Sequence, residues 1–341
     1  MQRKPTATEL SQSPLFLITP FFFLGTAMVV MKAIIPDTTP LFLAGFRLVP
    51  AGILILLAAL WLKLPQPTTW QAWLWIGIFS LIDGAMFQGF LTQGLVSTGA
   101  GLGAVLIDAQ PLVVAILCRV LFGDKVGFWG WWGLAIGLTG ICLCGLPEAW
   151  ILNVIHGDFS GLLGLQRVDM THFQQSGELL MLLAALAMSL GTVTIRYVKE
   201  HANAFVATGW HMILGGIPLL GLSLLWETNQ WTHLQTPEWA GLGYATIFGT
   251  AITYGIFFYL ASVGNLTSVS ALIFLTPVFA LLFSRFFLAE SLTSLQWIGV
   301  VLTLISVYLV NQREVIAQQI AALMGKPSPE VGAIDTPRVE S

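Results

Sequence analysis

Apolar residues run along this chain in long blocks, interrupted by short polar stretches rather than by the regular alternation of a soluble helix or strand. A bilayer core about 30 Å thick takes about 20 residues at 1.5 Å each. Blocks of that order cover 15–35, 41–62, 70–92, 100–122 and 128–146, and after a longer polar stretch 177–198, 204–226, 239–261, 268–289 and 294–311. Each reads as a transmembrane helix, because a backbone crossing lipid has to satisfy its own hydrogen bonds. The first block is too long for a cleaved signal peptide, and nothing after Ile35 resembles a cleavage site. The pattern predicts an all-α integral membrane protein with ten transmembrane helices.

Composition agrees and narrows the function classes. The chain has 341 residues, of which 56% are hydrophobic and 9% charged, against about 25% charged in a soluble domain. Its mean hydropathy is +0.82. A net charge of −3 gives no basic footprint for nucleic acid. Cys118, Cys142 and Cys144 sit in apolar runs, so neither a disulfide framework nor a metal knuckle is expected. No cofactor and no metal is expected, and the partners implied are membrane lipid and a small-molecule substrate.

Basic residues set the orientation. With the N-terminus inside, Arg3, Lys4, Lys63, Arg119, Lys125, Arg196, Lys199, Arg313, Lys326 and Arg338 fall on the cytoplasmic side, and only Lys32, Arg47, Arg167 and Arg285 toward the outside. An even helix count returns the C-terminus to the cytoplasm, so the expected location is the plasma (inner) membrane with both termini inside. The predicted organisation is a cytoplasmic segment 1–14, a first five-helix unit 15–146, an external loop 147–176, a second five-helix unit 177–311 and a cytoplasmic tail 312–341. Within the loop, 150–155 reads as a short interfacial helix. Arg313–Gly325 extends the apolar pattern of the last helix.

The two units are related. A shift of 166 residues aligns 73–143 with 239–309 without a gap, matching Trp73 with Trp239, Pro111 with Pro277, Arg119 with Arg285 and Trp131 with Trp297. A shift of 164 aligns the earlier helices and pairs Arg47 with His211. Five helices per unit is an odd number, so the second copy enters the membrane inverted, the arrangement of many secondary transporters. The stretch 109–143 and its mate 275–310, each with a proline early in a helix followed by Gly123-Asp124 or Ala289-Glu290, resemble the paired EamA-type domains of the drug/metabolite transporter superfamily. The segments around Lys32 and Arg47 resemble the first two helices of that domain. The resemblance implies a ten-helix inner-membrane carrier, usually an exporter of amino acids or other small metabolites.

Ionisable groups inside a membrane cost about 2.5–3.5 kcal/mol each on insertion scales, so they mark candidate sites. Residue counts place Arg47, Asp83 and Asp108 roughly 10, 14 and 12 Å below the outer face. They are predicted to form one polar cluster, with Gln88 and Gln110 near enough in depth to join it. Two readings stand side by side. In one, Arg47 pairs with an aspartate to lock helices together. In the other, Arg47 holds a substrate carboxylate and an aspartate holds an amine or a coupling proton. The mates of Asp83 and Asp108 are Gly249 and Phe274, so the acids belong to one half only. His211 lies roughly 10 Å from the inner face, either as a gate residue or bonded to a helix carbonyl. Tyr254 and Tyr259 line the same region or belong to packing. Pro111 and Pro277 are candidate hinges.

Gly133, Gly137 and Gly299 permit close helix contact, within the fold or at the seam of a possible homodimer. The Gly99–Ala104 stretch matches a dinucleotide fingerprint but lacks the strand such a motif needs. The sequence contains no Walker, HExxH or GxSxG motif. The expected activity is therefore not enzymatic: secondary transport, in the direction of export, of a small polar or amphipathic metabolite by alternating access. A non-transporting scaffold or sensor and an intramembrane enzyme are the alternatives.

Overall fold

The computed structural model describes residues 14–123, 127–145, 151, 176–256 and 275–323. Among these every regular element is helical. Helix α1 spans Pro14–Ile34 and turns through a short 3-10 segment, Ile35–Asp37, into α2, Pro40–Trp61. Helix α3 is one rod, Trp70–Ser97, whose middle, Ser80–Phe87, is wound as a π-helix. It is followed by α4 (Ala100–Ile107), α5 (Gln110–Phe122) and α6 (Gly127–Gly145). The remaining elements are α7 (Gly177–Lys199), α8 (Ala204–Trp226), α9 (Thr236–Thr246, continued by a π segment Ile247–Ile252), α10 (Leu275–Phe287) and α11 (Ser294–Leu323).

Among the described residues, six stretches are long and apolar enough to cross a membrane: Leu17–Asp37, Pro40–Trp61, Trp70–Ser97, Ala100–Leu121, Gly177–Lys199 and Ala204–Trp226. Shorter apolar helices cover Gly130–Cys144, Leu275–Phe287 and Ser294–Leu309. The chain is a helical, multi-pass membrane protein. Large apolar side chains such as Trp61, Trp70, Val120, Leu225, Trp226 and Phe286 stand exposed, as lipid-facing positions do where the solvent is hydrocarbon rather than water.

Two boundaries differ from the sequence reading, and a third matches it. The third helix runs on to Ser97, because 93–97 continues helical hydrogen bonding although its composition is more polar. The fourth is not a single helix bent at Pro111. It stops at Ile107, passes through Asp108 and Ala109, and restarts at Gln110 with Pro111 in its first turn, where a missing N–H costs nothing. The last helix continues to Leu323, in line with the extension expected over Arg313–Gly325; its 30 residues exceed what a bilayer needs. Of the interfacial helix expected at 150–155 only Ile151 is among the described residues, and Tyr259 lies outside them.

Packing follows the offset found in the sequence. Helix α2 packs on α8, and α6 on α11, each pair consisting of mates under the repeat. Small residues make both contacts possible: a Cβ on Gly45 would lie 2.9 Å from the Gly216 carbonyl oxygen, one on Gly52 2.6 Å from that of Gly209, and one on Gly140 2.8 Å from that of Gly299. Gly133 accepts a bond from Ser306 at 2.5 Å. These glycines are thus used inside the fold. In the same register α1 packs on α10 while α7 packs on α4 and α5, and α3 packs on α7 while α9 packs on α1.

Backbone detail repeats too. Ser80, at the start of the first π segment, donates to the Ile76 carbonyl at 2.6 Å. Thr246, 166 positions later, donates to Leu242 at 2.8 Å just before the second. Among the described residues, those with positive φ fall into two pairs at this spacing: Lys63 (54°) with Asn229 (61°), and Gly123 (71°) with Ala289 (54°). Gly123 adopts the left-handed conformation that closes α5 and returns its N–H to Arg119 at 3.1 Å. Ala289 holds the equivalent conformation despite its Cβ.

Candidate functional site

The polar side chains buried among these helices divide into linked groups. Arg47 occupies the middle of α2, 5% exposed. Its guanidinium donates to Thr250 Oγ1 at 2.8 Å and to Gln88 Oε1, so one side chain joins α2 to α3 and to the π segment after α9. Thr250 is free to accept because its own hydroxyl proton goes to the Ala245 carbonyl at 2.9 Å, a carbonyl five residues back in the widened turn. Arg47 Nε is buried and has no hydrogen-bond partner among the described residues.

Asp83 lies within the first π segment and contacts His211 of α8, Oδ2 to Nε2 at 3.2 Å. The other ring nitrogen of His211 is 2.7 Å from the Thr208 carbonyl oxygen. The ring stacks on Phe79, centroids 4.3 Å apart and planes at 29°. His211 is therefore bonded to a carbonyl of its own helix, one of the two roles expected of it, and is also tied to α3. Tyr254, partly buried against the α2–α8 core, is within electrostatic reach of both Arg47 and Asp83.

Asp108 and Gln110 flank the break between α4 and α5. Gln110 donates to Thr192 of α7 at 2.5 Å, and Ser189 Oγ lies 3.3 Å from the Gln110 carbonyl. Asp108 Oδ2 is buried without a hydrogen-bond partner among the described residues. Broken transmembrane helices place such half-helix ends and their side chains at solute sites.

The geometry changes the expected pairing. Arg47 does not pair with an aspartate: its hydrogen bonds go to Gln88 and Thr250, and Asp83 goes to His211. Gln88 joins Arg47 as depth suggested, whereas Gln110 belongs with Thr192 at the helix break. The sequence reading missed Thr250 and Thr192, neutral residues that helices tolerate anywhere. The offset of 166 held a signal for Thr250, since its mate, Gly84, adjoins Asp83. Pro111 opens α5 and Pro277 lies in the first turn of α10 as described.

At the far end of α4, Glu290 caps that helix. Its carboxylate accepts from Ala100 N at 2.8 Å and from Gly101 N at 3.2 Å. A cavity of about 240 Å³ opens beside it, lined by Leu281, Ser284, Arg285, Ser291, Leu292 and Trp297; it contains none of the buried polar residues described above.

Comparisons with known proteins bear on the role of this arrangement. The EamA-like transporter family matches residues 12–146 and 175–312. The chain is 53% identical over 331 residues to a Synechocystis sp. protein named "Uncharacterized transporter sll0355", covering 96% of this chain and 99% of that one. It is 44% identical over 299 residues to the Arabidopsis thaliana "WAT1-related protein At3g02690, chloroplastic", covering 86% and 68%. With the Escherichia coli (strain K12) "Uncharacterized inner membrane transporter YedA" it shares 25% identity over 301 residues, 87% and 90% of the two chains. A solved crystal structure aligns with a TM-score of 0.56 at 16% identity, over 90% of this chain and 99% of the other, a likeness of fold. With both halves matched, the chain belongs to the EamA-like transporter family of the drug/metabolite transporter superfamily and is a multi-pass membrane transporter.

Proposed function

We propose that this transporter is a secondary exporter of a small polar or amphipathic metabolite, of amino-acid-like chemistry, working by alternating access between inverted five-helix units 15–146 and 177–311 of a ten-helix fold. The observation that carries the reading is that, of the buried polar atoms without a hydrogen-bond partner among the described residues, two belong to ionisable side chains, Arg47 Nε and Asp108 Oδ2. A buried polar atom without a partner costs about 1–3 kcal/mol, more when charged, and a guanidinium–carboxylate bond is about twice as strong as a neutral one. A solute bearing a carboxylate and an amine would satisfy one group each. Gln88, Gln110 and Tyr254 supply the polar and aromatic surroundings, while Asp83 and His211 tie α3 to α8. Pro111 and Pro277 serve as the hinge points of mated helices.

The paired positive-φ residues, paired π segments and mate-on-mate packing support the repeat. Two nearly equivalent halves exchange conformations at little cost in free energy, which alternating access requires. The excess of basic residues on one set of loops, and the location in the name of the Escherichia coli relative, favour the inner membrane with both termini cytoplasmic.

The experiment compares extracellular metabolites of strains lacking the protein, overexpressing it, and overexpressing Arg47→Gln or Asp108→Asn forms that insert normally. One compound class rises outside with wild-type protein, falls in the deletion strain and stays at the deletion level with either variant. Extracellular profiles identical across all four strains contradict the proposal.

A further inference from the structure

The Asp83–His211 contact fixes a proton count. His211 Nδ1 lies 2.7 Å from the Thr208 carbonyl oxygen, which can only accept, so Nδ1 carries a hydrogen and donates it. The same ring presents Nε2 to Asp83 Oδ2 at 3.2 Å. An ionised carboxylate and a bare ring nitrogen are both acceptors, and two lone pairs at that separation repel. The contact therefore needs one proton more than a carboxylate facing a neutral ring would bring, whether it rests on Nε2 or on Oδ2. Losing it leaves two options. The lone pairs face each other, or the ring moves its remaining hydrogen to Nε2 and abandons Thr208. Either way one of the two bonds that hold the ring is lost.

The surroundings make that loss consequential. Asp83 is 7% and His211 1% exposed, so water does not replace the missing bond. Next to Asp83 the backbones of α3 and α8 touch: a Cβ on Gly84 would lie 2.8 Å from Gly215 Cα, and one on Gly215 2.5 Å from Gly84 Cα. Helix α3 belongs to the first unit and α8 to the second. Few other charges share the site. Outside the π segment α3 carries no titratable side chain, and α2 carries only Arg47. Toward Asp83, α7 presents Gly191, its ionisable residues Glu178, Arg196, Tyr197 and Lys199 lying toward its ends. From α8 the titratable group is His211 itself, and Tyr254 is the nearby group that follows α9.

We infer that Asp83 and His211 form a proton-binding site, loaded with a single exchangeable proton whose release loosens the contact between α3 and α8. Proton binding follows from the hydrogen-bond geometry alone; its use as the coupling ion rests on the transport reading. The loaded site holds the two units together at this point, and the unloaded site lets them part.

The test uses the full chain in lipid nanodiscs with 15N-labelled histidine, followed by NMR across the range in which histidine ordinarily titrates. The chain has five histidines, and His211→Gln assigns the resonances of interest. The expected result is one protonation step at His211 that disappears in Asp83→Asn, where the side-chain amide donates permanently to Nε2, and persists in Asp108→Asn. A His211 that stays unchanged across the range, or an identical step in Asp83→Asn, overturns the inference. If Asp83→Asn does not insert, infrared difference spectra of wild-type protein with 13C-labelled aspartate give a second readout. A carboxyl band changes together with the His211 step, and its absence has the same overturning force. Neither measurement needs the solute. A dyad that titrates in a protein exporting nothing removes only the transport reading, and an exporter whose dyad does not titrate removes only this one.

Discussion

Gly191→Ala is the most discriminating substitution near the buried acids. A Cβ at this position would lie 2.6 Å from Asp83 Oδ1, 2.7 Å from Asp83 Cβ and 3.0 Å from Asp83 Cγ. The carboxyl oxygen can swing aside, but Asp83 Cβ is fixed to the π-helical backbone, so α3 and α7 have to separate locally. In an unobstructed helix the exchange would stabilise by roughly 0.8–1 kcal/mol. Overpacking costs about 1–3 kcal/mol, and losing the hydrogen bond to His211 adds about 1.5–3 kcal/mol for a pair with a charged member. The two losses together outweigh the gain, with a net destabilisation of roughly 1.5–5 kcal/mol. Melting curves of purified protein in one detergent measure it, in a cycle with Asp83→Gly, which removes the obstructing atoms. In the Asp83→Gly background the same alanine is neutral or stabilising, giving a coupling energy well above the few tenths of a kcal/mol expected of independent sites. Equal cost in both backgrounds refutes the packing argument.

Two further outcomes follow from local geometry. Ala289→Gly relieves a left-handed alanine and stabilises by about 1 kcal/mol, while Gly123→Ala, whose added methyl meets no neighbour within 4 Å, costs about the same through backbone strain alone; opposite shifts in melting temperature check the pair. Glu290→Gln keeps an acceptor for Ala100 N but removes the negative charge at the α4 N-terminus, costing about 1 kcal/mol; an unchanged melting temperature shows that the cap contributes nothing.

The sequence made the apolar blocks and the repeat legible because both depend on residue type and spacing alone. Trp73 with Trp239 and Arg119 with Arg285 fix the register that Lys63 and Asn229 later share in backbone conformation. Relative position along a helix is a count and so was open to the sequence as well. Azimuth was not. A π segment inserts an extra residue per turn and rotates everything beyond it by about 100°. Asp83 therefore turns to His211 while Gln88, five residues on, turns to Arg47. Nothing in the composition of Ser80–Phe87 distinguishes it from ordinary helix. The break at Asp108 was hidden for a related reason: Pro111 signalled a disturbance, but a proline in a first turn and a proline in a helix interior look alike until the helix start is known.

Opposite insertion of the two units is tested most directly at Lys63 and Asn229. Both are exposed loop residues, 166 positions apart, with φ of 54° and 61°. In sealed vesicles of known orientation, Lys63→Cys reacts with a membrane-impermeant maleimide only from the cytoplasmic side and Asn229→Cys only from the opposite side. Labelling of both from one side contradicts an inverted repeat, and with it the exchange between equivalent halves on which transport is proposed to depend.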